Sequence, residues 1–340
     1  MIEQLLLSHF RCFEEAAFSF SSGIHLFWGE NGAGKSSILE ALTLFIFGQS
    51  FRTKKAQHLV EEGFSKAFAK LHYKSSTAIH HQLGWTFDEK GSFYAGQKKL
   101  SGASEVLGLI PAVSLTPQDA TLITGSPDDR RRFLDLLLAK QDPTYLHHRL
   151  RYQKGLECRN ENLKNKRVQM LDAIETELEK SALYLISARE QGLQKLLPHA
   201  DPLFRHLLGA HKKMEFVYKT KTNLRELWKT AREKELDCGY TLNGPHRDDI
   251  LFHADGREIR HFGSEGEKKS YLLALKLAHH ATHEGKPLLL LDDLTASLDP
   301  VRIEKFWDIA PSLGQVIITS TTPVSHSATH HTEVRKKTTG

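Results

Sequence analysis

The stretch GENGAGKSS near the N-terminus constrains the fold of this chain more than any other feature. Residues 29–36 satisfy the pattern G-x-x-x-x-G-K-[ST]. An apolar run at 24–28 precedes this pattern, and apolar residues recur at helical spacing after it until Gly48. A strand, a glycine loop and a helix in this order predict a phosphate-binding loop in an α/β fold.

The residues that we expect to contact a nucleotide form one contiguous run. They are Gly29, Glu30, Asn31, Gly32, Ala33, Gly34, Lys35, Ser36 and Ser37. The glycines let backbone N–H groups converge on phosphate oxygens, the Lys35 ammonium reaches the β and γ phosphates, and the Ser36 hydroxyl is suited to bind Mg²⁺. We therefore predict that a nucleoside triphosphate, ATP, binds here with Mg²⁺.

Two adjacent carboxylates follow the most apolar run of the chain. Leucines occupy 288–291, and Asp292 and Asp293 come next. A run of this kind is typical of a buried parallel strand, and ligands of open α/β sheets collect at the carboxyl ends of such strands. We expect Asp292 to face Mg²⁺ through water and Asp293 to orient or activate the attacking water.

A small-residue loop containing Ser264 and Gly266 enters a predicted helix upstream of the acidic pair. In this order the motifs resemble those of ABC-type ATPases, with a Ser-x-Gly signature here and the D-loop at 295–299. In such enzymes the signature completes the triphosphate site of a second subunit. The resemblance implies a homodimer with two nucleotides between the protomers, in which Lys35, Ser264 and Asp293 carry the chemistry.

Composition excludes several classes of protein. The 340 residues are 40% apolar and 26% charged, which fits a soluble chain of about two lobes. No apolar run has the length of a membrane span, and the N-terminus lacks the pattern of a signal peptide, so a cytoplasmic location without a membrane partner is expected. Three scattered cysteines and several adjacent histidine pairs favour neither a disulfide framework nor a zinc site.

The order of predicted elements indicates one ATPase lobe built from both chain ends around a helical insert. We expect residues 1–101 to form its N-terminal part with a mixed sheet, 102–239 the inserted helical lobe, and 240–322 its C-terminal part with the signature and the acidic pair. Residues 323–340 are expected to be a flexible tail. A Ser126 cap, Pro127 and Asp129 predict the start of the first insert helix.

The spacing between Lys35 and Ser264, together with four further segments, indicates which group of ABC-type ATPases the chain resembles. Lys35 and Ser264 are 264 − 35 = 229 residues apart, farther than in ABC transporter subunits, and the insert is far shorter than the coiled coils of SMC proteins. With the segments SHFRCFEEAAFSF, GQSFRTKKAQHLVEEG, SPDDRRRFLD and LNGPHRDDILF, the chain resembles the RecF family of SMC-like ATPases. The resemblance places Arg11 near the nucleotide and makes Gln118 the glutamine that couples the γ-phosphate to the insert.

The resemblance implies a function in recombinational DNA repair and replication restart. It implies a clamp that binds double-stranded DNA, with single-stranded DNA or gap junctions as further targets, as an ATP-induced dimer. Weak ATP hydrolysis would act as the switch, and RecO- and RecR-type mediators would be partners in loading recombinase. Two alternatives stay open: an ABC-type ATPase subunit that drives a membrane or other protein partner, and a P-loop small-molecule kinase with the insert as its lid.

The signature of this chain differs from the family pattern, and several basic residues are candidates for DNA contact. The family pattern Ser-x-Gly-Gln-Gln-Arg is replaced here by the residues 264–269, SEGEKK. The Glu267 carboxylate is expected to repel the partner's triphosphate unless Lys268 or Lys269 compensates. Candidate DNA contacts are basic and lie near no base-reading motif, which predicts sequence-independent binding. These contacts are Arg52, Lys54, Lys55, Arg130, Arg131, Arg132, Lys212, Lys213 and Arg247.

Overall fold

The computed structural model describes residues 1–209, 212–294, 298–323 and 329–335. Within these ranges the chain forms two compact units. Unit 1 comprises residues 1–119 and 279–340, and unit 2 comprises residues 120–278. Residues 295–297 of the predicted D-loop lie outside the described residues.

The strands in chain order are β1 (Ile2–Phe10), β2 (Phe13–Ser19), β3 (Ile24–Trp28), β4 (Lys66–Lys74), β5 (His80–Asp88), β6 (Lys90–Ala95), β7 (Lys98–Lys99), β8 (Ala112–Leu115), β9 (Met214–Lys219), β10 (Asp249–Ala254), β11 (Arg257–Glu258), β12 (Leu288–Leu291), β13 (Val316–Ser320) and β14 (Thr329–Glu333). The helices are α1 (Lys35–Phe47), α2 (Thr121–Thr124), α3 (Pro127–Gln141), α4 (Pro143–Lys164), α5 (Leu171–Leu208), α6 (Leu224–Thr230), α7 (Arg232–Cys238), α8 (Ile259–Phe262), α9 (Glu265–Ala281) and α10 (Pro300–Ile309).

A five-stranded parallel sheet forms the centre of unit 1. Its spatial order is β14-β3-β13-β12-β8, and each neighbouring pair is parallel. Parallel strands end at a common edge, so the loops after β3, β12, β13 and β8 open on the same side of the sheet. The phosphate loop follows β3 and the acidic pair follows β12, which brings both predicted motifs to this edge.

An antiparallel sheet completes unit 1, in the order β2-β1-β4-β5-β6-β7. Its strands alternate: in β4 the residues Ala67, Ala69, Leu71 and Tyr73 are buried, while the side chains between them face outward. The buried face packs in one apolar cluster with α1, whose Ile38, Leu42 and Phe45 have no exposed surface. This packing fixes the helix that follows the phosphate loop.

Unit 2 consists of helices and a three-stranded antiparallel sheet in the order β11-β10-β9. The helix α3 begins with the predicted capping box of Ser126 and Asp129. Between the helices, Arg159 has no exposed surface and donates to Glu175 at 3.0 Å and to Glu235 at 2.6 Å. Paired and hydrogen-bonded on several sides, this buried charge is of the kind that proteins tolerate.

The α/β fold class is confirmed, but three details differ from the sequence-based expectation. The strands of the first hundred residues are divided between an antiparallel and a parallel sheet. Strand β8 lies in the segment that we assigned to the helical insert, and it pairs with β12 in unit 1. Residues 240–278, which we expected in the ATPase lobe, belong to unit 2, where β10 pairs with β9 from the end of the insert.

The expectation of a flexible tail at 323–340 is wrong for residues 329–333. They form β14, which pairs with β3 in parallel register, and the N–H of Val334 donates to the carbonyl of Trp28 at 2.8 Å. The strand is polar and lies at the edge of the sheet, so its sequence lacks the apolar pattern of a buried strand. Across the described residues, no helix has the length and apolar character that crossing a membrane requires.

Candidate nucleotide site

The phosphate loop is folded around the side chain of Lys35, the first residue of α1. The Lys35 Nζ donates to the carbonyl of Gly29 at 2.7 Å and to that of Glu30 at 2.8 Å. Burial lowers the pKa of Lys35, while the nearby carboxylates of Asp293 and Asp292 raise it. The ammonium is thus held over the loop and faces the acidic pair, where it can contact phosphate oxygens.

Two glycines of the loop are required by close neighbours. A Cβ on Gly29 would lie 2.2 Å from the carbonyl oxygen of Val334, which follows β14. A Cβ on Gly34, whose φ is +106°, would lie 2.6 Å from Cys12 Sγ and 2.7 Å from Phe13 Cζ. The loop is therefore packed between the β14 end and the β1–β2 turn, and both contacts fix its backbone.

Asp292 is held by side chains from two directions. The Thr319 Oγ1 on β13 donates to Asp292 Oδ1 at 2.8 Å, and the Ser36 side chain lies close enough to the same carboxylate to lower its pKa. Only 5% of the Asp292 surface is exposed. Burial raises the pKa of Asp292, and the hydrogen bond from Thr319 and the nearby Ser36 side chain act against this rise. The position of Ser36 brings together the two residues that were predicted to bind Mg²⁺.

Asp293 turns the chain away from β12. Its φ is +55°, in the left-handed region that few non-glycine residues adopt. Its N–H donates to Thr319 Oγ1 at 2.8 Å. Backbone strain of this kind persists only where the surroundings impose it, and it is frequent at functional sites. The hydrogen bond to Thr319 is one such constraint.

The oxygen atoms at this edge fit Mg²⁺. The ion prefers hard oxygen ligands, keeps several waters, and is usually bound by one or two carboxylates together with substrate phosphates. The Ser36 hydroxyl and the Asp292 carboxylate, which lie near each other at this edge, supply a set of this kind. No soft or nitrogen ligand is needed for such a site.

Arg11 lies near the phosphate loop, and Gln118 lies near the edge of the parallel sheet. Arg11 lies in the β1–β2 turn beside Cys12, and its guanidinium donates to both carboxylate oxygens of the fully buried Glu40, at 2.8 and 2.6 Å. Gln118 follows β8 in a turn where Asp119 accepts the N–H of Thr116 at 2.7 Å. Contact of either residue with a nucleotide stays a prediction.

The signature residue Ser264 caps α9 in unit 2. The N–H of Ser264 donates to Glu267 Oε2 at 2.8 Å, and the N–H of Glu267 donates to Ser264 Oγ at 3.3 Å, which is a reciprocal capping box. The second oxygen of Glu267, Oε1, accepts from the Lys212 ammonium. The sequence expectation named Lys268 or Lys269 as the compensating charge; the structure pairs Lys268 with Glu265 at 2.9 Å instead.

Three side-chain contacts at these sites were not predicted from the sequence. Thr319, Glu40 and Lys212 each contact a predicted residue, but each lies far from it in the chain. For Thr319 a signal existed, because a polar residue at the carboxyl end of an apolar strand lies at the edge where ligands bind. Lys212 was expected to contact DNA, and no sequence signal indicates that it pairs instead with Glu267, 55 residues away.

Nearly the whole chain is similar to proteins of one known family. Residues 1–339 match the family model described as RecF/RecN/SMC N terminal domain. The DNA replication and repair protein RecF of Protochlamydia amoebophila (strain UWE25) is 36% identical over 340 residues, covering 95% of this chain and 94% of that protein. The protein of the same name from Chlamydia abortus (strain DSM 27085 / S26/3) is 33% identical, covering 94% and 92%.

Solved structures agree with this result. The structure described as the recombination mediator protein RecF-ATP in the RecFOR pathway has a TM-score of 0.83 at 25% identity, covering 98% of this chain and 95% of the other. An Smc head domain from Pyrococcus furiosus has a TM-score of 0.66 at 16% identity, covering 98% and 94%, and shows the fold alone.

Proposed function

The chain belongs to the RecF family of DNA replication and repair proteins, within the RecF/RecN/SMC group, and from this premise we propose that it is an ATP-dependent DNA clamp. In this proposal two copies dimerise around two ATP molecules and hold double-stranded DNA without reading its sequence. Slow hydrolysis of ATP releases the dimer. The protein acts in the cytoplasm with RecO- and RecR-type mediators during recombinational repair.

The observation that carries the proposal is that one chain exposes two surfaces, the phosphate loop and the Ser264 signature, which would each form half of an ATP site in a dimer. Glu30, Asn31 and Gly32 of the phosphate loop are exposed, and Ser264 is exposed at the first turn of α9. The Ser264 Oγ accepts from Glu267 N–H, so its own hydrogen is available to donate to a phosphate oxygen. A second copy that presents Ser264 to the ATP bound at Lys35 would complete two equivalent sites, as a twofold dimer requires.

We assign each residue at the sheet edge a role in hydrolysis. Lys35 would neutralise charge on the β and γ phosphates, and Ser36 with Asp292 would hold Mg²⁺. When bound, the ion neutralises negative charge that develops on the phosphate oxygens. Asp293, next to this carboxylate, accepts a proton from the attacking water or orients it. Thr319 orients both acids, through the Asp292 side chain and the Asp293 backbone.

The outer face of the antiparallel sheet supports contact with DNA. Strand β4 presents Lys66, Phe68, Lys70, His72 and Lys74 on that face. At about 3.4 Å per residue, Lys66, Lys70 and Lys74 are roughly 14 Å apart in a straight row. Lys66 pairs with Asp88 at 2.9 Å, whereas the side chains of Lys70 and Lys74 form no hydrogen bond or ion pair with another described residue. A row of cations of this kind fits the regular charge of a phosphate backbone.

Two of the basic residues considered from the sequence are poor candidates for DNA contact. Arg130 donates to both oxygens of Asp249, at 2.8 and 3.0 Å, and its side chain is 3% exposed. Arg131 is also buried and donates to the carbonyl of Asp248. These arginines hold α3 to the start of β10, so we assign them to the stability of unit 2.

Light scattering with and without ATP and Mg²⁺ tests the proposal. We expect the wild-type mass to double with ATP, and Lys35→Arg to stay monomeric because its bulkier head cannot take the place of the ammonium in the loop. Ser264→Arg should also prevent dimerisation, whereas a monomeric small-molecule kinase would tolerate that change. The same measurement on duplex and gapped DNA then tests the clamp. A chain that binds ATP and remains monomeric under all of these conditions contradicts the proposal.

A further inference from the structure

The carboxylate of Glu267 lies at the helix end that the proposed function directs toward a partner's triphosphate. Its side chain is 15% exposed and has two separate partners. Oxygen Oε2 accepts the N–H of Ser264, and oxygen Oε1 accepts from Lys212. The carboxylate therefore orients Ser264 through its backbone and has its own charge balanced by one lysine.

The backbone just after Lys212, at the start of β9, is fixed by hydrogen bonds to two aspartates. The N–H of Lys213 donates to Asp255 Oδ1 at 2.7 Å, and the N–H of Met214 donates to Asp201 Oδ1 at 2.7 Å. The strand β9 is tied to α9, because the Tyr271 hydroxyl donates to the carbonyl of Glu215 at 3.0 Å. The backbone that carries Lys212 and the helix that carries Glu267 are thus fixed relative to each other within unit 2.

Lys212 determines the net charge at the start of α9. Glu265 and Glu267 are negative, and Lys268 and Lys269 are positive, so the turn alone has no net charge. Lys268 pairs with Glu265, which leaves the Glu267 charge to Lys212. With Lys212 the cluster has a net positive charge, which suits a helix end that must approach a polyanion.

We propose that Lys212 is a positioning residue of the Ser264 signature, and that it acts by neutralising Glu267 so that the capping box can face a triphosphate. This inference rests on the proposed function, since it takes Ser264 as the group that meets the nucleotide of a second copy. Lys212 does not itself touch the nucleotide. Its effect passes through Glu267, and it should vanish when residue 267 has no charge.

A double-mutant experiment tests this coupling. We compare ATP-induced dimerisation by light scattering over a range of protein concentrations for wild type, Lys212→Met, Lys213→Met and the double variant Lys212→Met/Glu267→Gln. Lys213→Met is the matched control, because it removes the neighbouring lysine, whose side chain is 59% exposed and pairs with Glu215. Thermal unfolding without nucleotide checks that each variant folds.

We expect Lys212→Met to raise the dissociation constant of the ATP-bound dimer about tenfold, which is about 1.4 kcal/mol, and Lys213→Met to leave it unchanged. The double variant should recover most of the loss, because a neutral amide needs no cation. A lysine that only tethers the chain would leave the double variant as weak as Lys212→Met, and that result overturns the inference.

Two further outcomes separate this inference from the proposed function. If wild type dimerises with ATP and Lys212→Met does so equally well, the inference is wrong and the clamp stands. If wild type binds ATP and never dimerises, the clamp is wrong and the inference is overturned with it.

Discussion

Thr319 Oγ1 donates to Asp292 Oδ1 at 2.8 Å and accepts the N–H of Asp293 at 2.8 Å, so one hydroxyl joins both carboxylates of the acidic pair. The two bonds use the hydroxyl as donor and acceptor at once. Because Thr319 lies near the carboxyl end of β13, which is parallel to β12, the sheet itself sets the geometry of the acids. The orientation of the groups that we assign to metal binding and hydrolysis therefore depends on a residue of the neighbouring strand.

Thr319→Val should impair hydrolysis more than nucleotide binding. The change keeps the shape of the side chain but leaves the Asp293 N–H without its partner and removes one hydrogen bond to Asp292, at a cost of about 1–3 kcal/mol. We expect the Mg²⁺ concentration for half-maximal ATP hydrolysis to rise and the maximal rate to fall about tenfold. Steady-state hydrolysis over a magnesium titration measures both quantities.

The control for this variant is Thr322→Val, since the Thr322 side chain is exposed and forms no hydrogen bond with another described residue. Thr322→Val should hydrolyse ATP as wild type does. Equal magnesium dependence of Thr319→Val and wild type would show that the hydroxyl has no role in the site.

Asp292→Asn should stabilise the nucleotide-free protein at neutral pH. Burial raises the pKa of Asp292 above its ordinary value of 3.8. The folded state therefore holds the proton more tightly than the unfolded chain, so ionisation costs stability above the folded-state pKa. We expect a higher melting temperature for Asp292→Asn than for wild type at pH 7, and a difference that disappears as the pH falls below about 4.

Scanning calorimetry at the two pH values measures this difference without nucleotide. Adding ATP and Mg²⁺ should reverse the order, because the ligands stabilise only the chain that binds them well. A wild-type protein that is more stable than Asp292→Asn at pH 7 without ligand would mean that the favourable contacts with Thr319 and Ser36 outweigh the cost of burial.

The sequence predicts the parts of the site that one contiguous segment builds. The glycine-rich run from Gly29 to Gly34 predicts a loop whose backbone N–H groups converge on phosphate, and the leucines before Asp292 predict a buried strand. The contacts between distant segments are harder to predict: Thr319 had only the signal of its place at a strand end, and no pattern indicates that Lys212 pairs with Glu267. The segment 240–244, YTLNG, has residue types common in strands, but the N–H groups of Thr241 and Leu242 donate to the side chains of Asn160 and Glu235 and it forms no strand.

Gly29→Ala should destabilise unit 1 even without nucleotide. Its Cβ would lie 2.2 Å from the carbonyl of Val334, a backbone atom that cannot move without displacing the end of β14. We expect a loss of more than about 1 kcal/mol, seen as a lower melting temperature. Gly63→Ala is the matched control, since Gly63 also has positive φ but no atom within 4 Å of the added Cβ. Equal melting temperatures of the two variants would contradict the role of the β14 contact.

Neutral substitution of Lys70 and Lys74 should weaken DNA binding and change its salt dependence. Lys70 faces Gly84 on β5, and Gly84 faces Tyr94 on β6; all three line a concavity of about 610 Å³ on this face of the sheet. A phosphate backbone lying along β4 would meet both lysines. Each phosphate that a lysine no longer neutralises should reduce the slope of log affinity against log salt concentration by about 0.9 for duplex DNA.

Fluorescence anisotropy with a labelled duplex at several salt concentrations, in the presence of ATP, measures this slope for Lys70→Gln/Lys74→Gln. We expect a fall of about 1.8 in its magnitude relative to wild type, equally for unrelated duplex sequences, because a protein that touches only the phosphate backbone reads no bases. Lys229→Gln, which removes an exposed lysine from α6 in unit 2, should leave the slope unchanged. If the double variant keeps the wild-type slope and affinity, the DNA does not lie on this face of the sheet.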